Sequence, residues 1–391
     1  MTKIIALIDG VWTGHHPTYV KLLTETILEL GYNVVVFCPN PVEVGDWITE
    51  NCGEMAGRFC PYEYTEPICQ PFLPGVVKTT RQWKAAALAI KKAAANTGIL
   101  PDLVFFTYLD GYFAKHLKPW IVDAVFPYVW SGLYFAPERL RVPTPVRDAP
   151  LFSSGCKSVA LLDEGVKETL ERELAKPVIS FPDFADLSAP DMNYPVVGQI
   201  KERARGRKIV GLFGCIDKRK GTLMLVEVAK KLVDEGLFFV FAGVFYKYTF
   251  TRKELDHIEN FIASCPSNCF FHLGFIPDEP SFNALVCASD IVFAAYQKFY
   301  HSSNLLTKAA SFKKAIIVSD GFCMAERVRK FRLGKVIKQD DVDACIRAIR
   351  QLATGMADDE SIGPDYEGYM RNHSKERLKD SCSLLLKLSL V

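Results

Sequence analysis

The chain has 391 residues, 49% of them hydrophobic and 24% charged, with a formal net charge of +2. That length exceeds one ordinary core and predicts about two domains. The near balance of charge gives no overall basicity to attract nucleic acid, and apolar runs such as 238–245 are too short to cross a bilayer.

Residues 3–8 read as a buried strand. Thr2 and Lys3 lead straight into it, so no secretory leader is expected. The loop 9–17, DGVWTGHHP, opens a helix with Pro17 near its start and Tyr19, Leu22, Leu23, Ile27 and Leu30 in one stripe. Gly31 is its natural stop, and 33–38 is the next strand. Gly10 and Gly14 do not fit Gly-x-Gly-x-x-Gly, and the second strand ends in Cys38-Pro39-Asn40 with no acid for a ribose. Both points rank a nicotinamide or flavin oxidoreductase low. Residues 41–74, with Pro61, Pro67 and Pro71, read as a long irregular insertion.

Residues 76–100 are helical in pattern and carry five basic residues and no acid. Lys78, Arg81, Lys84, Lys91 and Lys92 fall on one side, and Trp83, Ala87, Ile90 and Ala94 on another. Two readings stand: a helix resting on an anionic membrane, or a surface helix whose small residues pack on a sheet. The alanines, poor anchors, favour the second. Residues 102–109 and 124–130 read as strands, ending at Asp110-Gly111 and Ser131-Gly132. Carboxyl ends of parallel strands carry ligand sites, which makes Asp110 and Ser131 candidates, although Asp-Gly is also an ordinary turn. Strands follow at 158–162 and 178–181. The stretch through Pro182, Pro190 and Pro195 to the basic run 201–208 reads as an inter-domain linker.

The second half opens with KIVGLFGCIDKRKGTLMLVEVAKKL, residues 208–232. An apolar strand leads into a loop bounded by Gly214 and Gly221, with Lys218, Arg219 and Lys220 crowded before a helix. Cations beside a helix N-terminus suit a phosphate or diphosphate, and a merely solvated basic turn is the plain alternative. The strand, glycine loop, helix, strand order repeats that of residues 3–38, predicting two doubly wound α/β domains. Further elements are a strand at 238–244, a helix at 252–263, a strand at 269–273, a helix at 280–288 and a strand at 290–294. A helix at 305–312 and a strand at 315–319 complete the pattern. His301, Ser302, Ser303 and Asn304 stand at the start of the 305–312 helix, as caps or as anion donors. The twelve cysteines form no Cys-x-x-Cys pair, and Cys265 and Cys269 have no second pair at zinc spacing. Reduced thiols in a cytosolic protein are expected.

With these residues in view, the second half resembles the donor-binding domain of retaining GT-B glycosyltransferases of the family-four group. Residues 214–221 match the family's Gly-Arg-x-x-x-x-Lys-Gly, with Lys220 on the lysine and Cys215 at the arginine, so that Arg219 is expected to supply the charge. Residues 272–296 resemble the family's glycine–proline turn, helix and strand, which would set Gly274, Phe275, Ile276 and Pro277 beside the nucleotide base. The stretch LLTKAASFKKAIIVSD, from Leu305 on, resembles the family's Leu-Glu-Ala-x-Ala-x-Gly-x-Pro-Val-Val. The family's paired glutamates fall on Tyr300 and Lys308, the second being the usual ribose ligand. His301-Ser302-Ser303-Asn304 resembles a variant Ser-Ser-Gly helix start. The N-terminal Gly14-His15-His16 loop is similar to the family's acceptor-side opening, and Ser131 holds roughly the place of a first-domain histidine.

The resemblance implies a GT-B fold, two Rossmann-like doubly wound domains facing across a cleft. Its expected parts are an acceptor-side domain (1–187), a nucleotide-sugar domain (188–370) and a last helix (371–391) crossing back to the first. It implies sugar transfer from a nucleotide-diphosphate sugar to a glycan, lipid-linked or small-molecule acceptor, with retention, with no cofactor and without metal. Arg219 and Lys220, with Asp110 and His16, are the expected catalytic residues. Gly14, Gly214, Phe275, Ile276, His301, Ser302, Ser303, Asn304 and Leu305 would bind the donor, and His15 and Ser131 would face the acceptor. A cytoplasmic location with peripheral membrane contact fits this reading. Two alternatives remain open: an inactive GT-B scaffold that binds a nucleotide or partner, as Lys308 would imply, and a nucleotide-sugar epimerase.

Overall fold

The computed structural model describes residues 2–68, 72–355 and 363–390. The chain divides into two compact units, Met1–Phe184 with His373–Val391, and Ala185–Asn372. Pro71, taken with the irregular insertion, lies outside the described residues.

The first unit runs β1 (Ile4–Ile8), α1 (His16–Glu29), β2 (Asn33–Cys38), α2 (Pro41–Cys52), β3 (Phe59–Glu63), α3 (Gly75–Thr97) and β4 (Leu103–Phe106). It continues α4 (Pro119–Val125), β5 (Trp130–Tyr134), β6 (Val159–Leu161), α5 (Lys167–Leu174) and β7 (Val178–Ser180). The second contains α6 (Pro195–Ala204), β8 (Lys208–Phe213), α7 (Thr222–Lys231), β9 (Leu237–Ala242), α8 (Arg252–Ala263), β10 (Cys269–His272) and α9 (Glu279–Ala288). After these come β11 (Ile291–Ala294), α10 (Asn304–Ser311), β12 (Ala315–Ser319), α11 (Phe322–Phe331), β13 (Gly334–Ile337), α12 (Val342–Thr354) and α13 (Tyr366–Asn372). The last helix, α14 (Lys375–Ser389), belongs to the first unit.

Both sheets are parallel. Their strand orders are β3-β2-β1-β4-β5-β6-β7 and β10-β9-β8-β11-β12-β13. Strands buried on both faces need apolar side chains at successive positions, which is why IIALI and LFFVFA carry no polar alternation. In β1, Ala6 and Ile8 enter one core with Trp83 of α3, while Ile5 and Leu7 enter the other with Leu23 and Ile27 of α1. The second unit likewise has one core on each face of its sheet. Strand order reverses between β1 and β4 in the first unit and between β8 and β11 in the second. Loops leaving those strands open a crevice at the carboxyl edge, where ligands bind in such sheets.

Three sequence expectations are corrected. The segment 41–74 is no insertion: it supplies α2 and an edge strand. Asn40 caps α2 by accepting from the Glu43 amide, and Val44, Ile48 and Cys52 form its buried stripe. Pro61 sits inside β3, which tolerates it because an edge strand has one side without a ladder partner. The strand expected at 124–130 is the end of α4 and a loop, with Pro127 in the run, and the strand is β5. The presumed linker contains α6, where Pro195 takes the first turn and Val196, Val197, Ile200 and Ala204 are buried.

Candidate functional site

In the second unit, β8 ends at Phe213 and Gly214 turns the chain with φ +89°. Gly243, after β9, has φ +142°, and a Cβ there would fall 1.6 Å from the Gly214 carbonyl oxygen. The two loops pass this closely only because Gly243 lacks a side chain. Asp217 then organises the basic turn: its Oδ1 accepts from the Lys220 amide at 2.8 Å. Lys220 Nζ donates to the Phe213 carbonyl at 2.8 Å and stands 5.2 Å from the centre of the Tyr296 ring. The Arg219 guanidinium lies 5.1 Å from the Phe299 ring and 5.7 Å from Tyr296, with Asp217 Oδ2 at 3.3 Å. Lys218 turns elsewhere, to Glu254 Oε1 at 2.6 Å. Two of the three cations therefore share a face with Tyr296 and Phe299 beyond β11. The Gln297 amide donates to the Arg219 carbonyl at 2.6 Å and joins the two loops at the point of strand reversal.

The same loop after β11 ends in α10. Ser303 takes the N-cap position with extended backbone, and its hydroxyl makes no capping bond. The first amides of a helix have no intrahelical acceptor, so this end can receive an anion. Ser302, expected to offer its hydroxyl to the donor, is buried and bound by the Arg327 guanidinium of α11, which is itself buried. It is thus a pin, and it draws a positive charge toward the start of α10. His301 lies edge-on to Phe299 at 5.0 Å, and Asn304 is the first helical residue. Leu305 is core. Of the proposed base-binding pair, Phe275 is 77% exposed while Ile276 packs against the core.

Lys308 does not stand as a ribose ligand would. Its ammonium is 1% exposed and donates to Glu279 Oε2 at 2.7 Å, Asn283 Oδ1 at 2.5 Å and the Asp186 carbonyl at 2.6 Å. Asn283 also donates to the Ser188 carbonyl at 2.9 Å. The lysine fastens α9 and the segment before α6 to α10. Tyr300, at the other aligned glutamate, sets its ring edge-on to Phe322 at 4.6 Å.

In the first unit the point of strand reversal carries a second polar cluster. Asp9, just past β1 and 3% exposed, accepts from the Thr107 hydroxyl at 2.6 Å and the Val11 amide at 3.0 Å. His16 Nδ1 lies 2.9 Å from both Asp9 oxygens, so with its proton on Nδ1 it donates to the carboxylate and keeps Nε2 as the basic nitrogen. Gly14, at φ +62°, makes the turn that brings His15 and His16 to the start of α1. The His15 ring is stacked between Phe135 and His16, each 4.9 Å away. Its Nε2 is buried without a hydrogen-bond partner among the described residues. Burial first, and the neighbouring His16 second, push its pKa down to about 4. Glu66, its carboxyl raised by burial against the pull of the Gln82 amide, follows β3 and lies against Gly10.

Asp110 and Ser131 have other roles than those expected. The Asp110 carboxylate accepts from the amides of Phe135 at 2.7 Å and Ala136 at 2.8 Å, fastening the loop that follows β5. Burial raises its pKa to about 7 against the pull of those amides. Ser131 lies inside β5, fully buried, and donates to the Ser158 carbonyl at 2.9 Å. It is a strand-to-strand tie, because β5 begins six residues later than expected and its carboxyl end is Tyr134.

Sequence reasoning passed over Asp9, Thr107, Asp217, Tyr296 and Arg327. Asp217 had a signal, an acid three residues before Lys220 at capping spacing. Arg327 had none, since only the packing of α11 brings it to Ser302.

No family model matches the sequence, and the curated proteins include no match. In structure the chain is similar to a glycosyltransferase from Rickettsia africae ESF-5, with a TM-score of 0.65 and 13% identity over 100% of this chain and 99% of that one. It is similar to sucrose-phosphate synthase from Thermosynechococcus elongatus, with a TM-score of 0.66 and 15% identity over 98% of each chain. It is also similar to HepE of Anabaena in complex with UDP and glucose, with a TM-score of 0.65 and 12% identity over 98% of this chain and 99% of that one. Two parallel Rossmann-like sheets, matched over nearly the whole of each neighbour, give this chain the GT-B fold.

Proposed function

We propose that the chain is a glycosyltransferase that moves a sugar from a nucleotide-diphosphate sugar, held by the second unit, to an acceptor hydroxyl. The observation that carries this reading is the placing of Lys220 and Arg219 on the Tyr296 and Phe299 rings, in the loop that runs from β11 to the start of α10 at the point of strand reversal. The UDP and glucose in HepE, at the same fold, make UDP the first donor nucleotide to try. In the reaction, the bond from the anomeric carbon to the diphosphate breaks and the bond to the acceptor oxygen forms. The acceptor proton passes to the leaving phosphate. Negative charge grows on the diphosphate, and cations and helix amides already in position stabilise that charge more than the ground state.

Retention and independence of metal are parts of the same reading. They are supported by the resemblance to the family-four enzymes and by the fixed cations, which can carry the charge. A glycan, lipid-linked or small-molecule acceptor is compatible with it. In the first unit, His16 held by Asp9 is the candidate for orienting the acceptor hydroxyl, beside neutral His15. The inactive-scaffold alternative rests on Lys308 at the family's ribose position; that side chain is enclosed by Glu279, Asn283 and Asp186 and is not free for a ribose contact, so transfer from UDP-glucose decides between the two readings.

The test is titration calorimetry with UDP and GDP on the wild type and on Lys220→Ala. The variant should bind at least about tenfold more weakly, the loss of one charge-assisted contact. Equal affinity would remove the diphosphate assignment. Transfer from UDP-glucose in the presence of EDTA, with the product anomer read by NMR, tests metal independence and retention together.

A further inference from the structure

The outer face of α3 has a composition that neither the core nor the donor reading uses. Its inner face, Thr79, Trp83, Ala86, Ala87, Ile90 and Ala93, is buried. Val77, Arg81, Lys84, Leu88, Lys91 and Lys92 are exposed and recur along one stripe. Leu88 is 55% exposed in the middle of that stripe, with cations on both sides.

A second basic segment lies alongside. Trp83 Nε1 donates to the Tyr112 carbonyl at 3.0 Å, the Trp83 and Phe126 rings are 5.2 Å apart, and a Cβ on Gly75 would lie 4.0 Å from Ala114. These contacts hold the stretch from Tyr112 to α4 against α3. That stretch exposes Lys115, Lys118 and Trp120, the last 68% exposed. Among the described residues, Arg81, Lys84, Lys91, Lys92, Lys115 and Lys118 have no carboxylate partner, and α3 contains no acid. In a chain of net charge +2, this is a concentrated positive surface with apolar residues set into it.

We infer that the outer face of α3, with Lys115, Lys118 and Trp120, is a docking surface for an anionic lipid bilayer. Lysine and arginine stems lie along the headgroup region with their charges at the phosphates, and a tryptophan is suited to the same depth. Exposed Leu88 and Trp120 gain from the acyl boundary, whereas a polynucleotide would use the cations and leave the leucine without a partner. Among the described residues no helix is long and apolar enough to cross a membrane. The helix does not insert by the apolar face seen in the sequence, because that face is inside the protein. This inference does not depend on the donor assignment.

The full chain is sedimented with phosphatidylcholine vesicles with and without phosphatidylglycerol. Binding is expected only to the anionic vesicles and should be lost in high salt. The exposed double variant Lys84→Glu, Lys91→Glu should weaken it by at least about tenfold, and Lys84→Gln, Lys91→Gln by less, with unchanged circular dichroism melts. Brominated lipid should quench tryptophan emission in the wild type and lose most of that quenching in Trp120→Ala. Failure to bind anionic vesicles at low salt overturns the inference. So does undiminished binding by the Glu variant, or displacement from vesicles by a homopolymeric RNA at equal charge.

Discussion

His15 and Asp110 show how burial acts on single groups with opposite signs. The folded pKa of His15 is lowered from 6.5 to about 4, so between those values the unfolded chain binds the proton that the folded one refuses. Its contribution to stability is present above pH 6.5 and is lost as pH falls toward 4. Asp110, raised from 3.8 to about 7, binds more proton when folded, and its contribution falls as pH rises through the same window. The two nearly oppose each other, so the wild-type curve alone does not separate them. His15→Phe keeps the stack on Phe135 and removes the titration. The denaturant stability of the wild type relative to this variant should grow by up to about 3 kcal/mol between pH 4 and 6.5. A constant difference across that range would place His15 in water rather than in the stack.

At the scale of elements, the basic turn and α10 form a unit because β8 and β11 are neighbours that the chain reaches from opposite directions. The sequence suggested both ends of this arrangement and could not show that Lys308 turns away from it. Lys308→Glu, which would put a glutamate at the family's ribose-binding position, instead sets a carboxylate against Glu279 and the Asp186 carbonyl. Removing a buried charge from its partners costs about 3–5 kcal/mol, and reversal adds repulsion. The variant should unfold the second unit in urea at a much lower midpoint. A stable Lys308→Glu with stronger UDP binding would return the residue to the nucleotide.

At the scale of the whole chain, each unit has its own pair of cores, and the first depends on the far end of the sequence. Leu378, Cys382, Leu385 and Leu386 of α14 are buried in the core that holds Leu23 and Ile27. His373 Nδ1 accepts from the Asp183 amide at 2.9 Å, and Lys375 pairs with Glu25 and Glu29. Each large apolar side chain contributes about 1.5–3 kcal/mol when buried, so these together rival the stability of a domain. A chain ending at Asn372 should lose amide-exchange protection in β1, β4 and α1 while β8 and β9 keep theirs. Equal protection in both units would show α14 to be dispensable.

What the sequence determined by itself was periodic and local. Buried parallel strands write themselves as apolar runs, and glycine loops and caps punctuate them, so the doubly wound class, the basic turn at Lys218–Lys220 and the helix α8 were all legible. A proline inside an edge strand hid β3, and a run broken by Pro127 drew the expected strand too early and misplaced Ser131. Tertiary structure alone decided which side chains meet. It set Asp9 on His16 and Thr107, Arg327 on Ser302, Asp110 on the Phe135 and Ala136 amides, and Lys308 among Glu279, Asn283 and Asp186. These partners lie up to 122 residues apart. Residue spacing records the period of one element, while a contact between elements depends on strand order and helix packing, which no local pattern encodes.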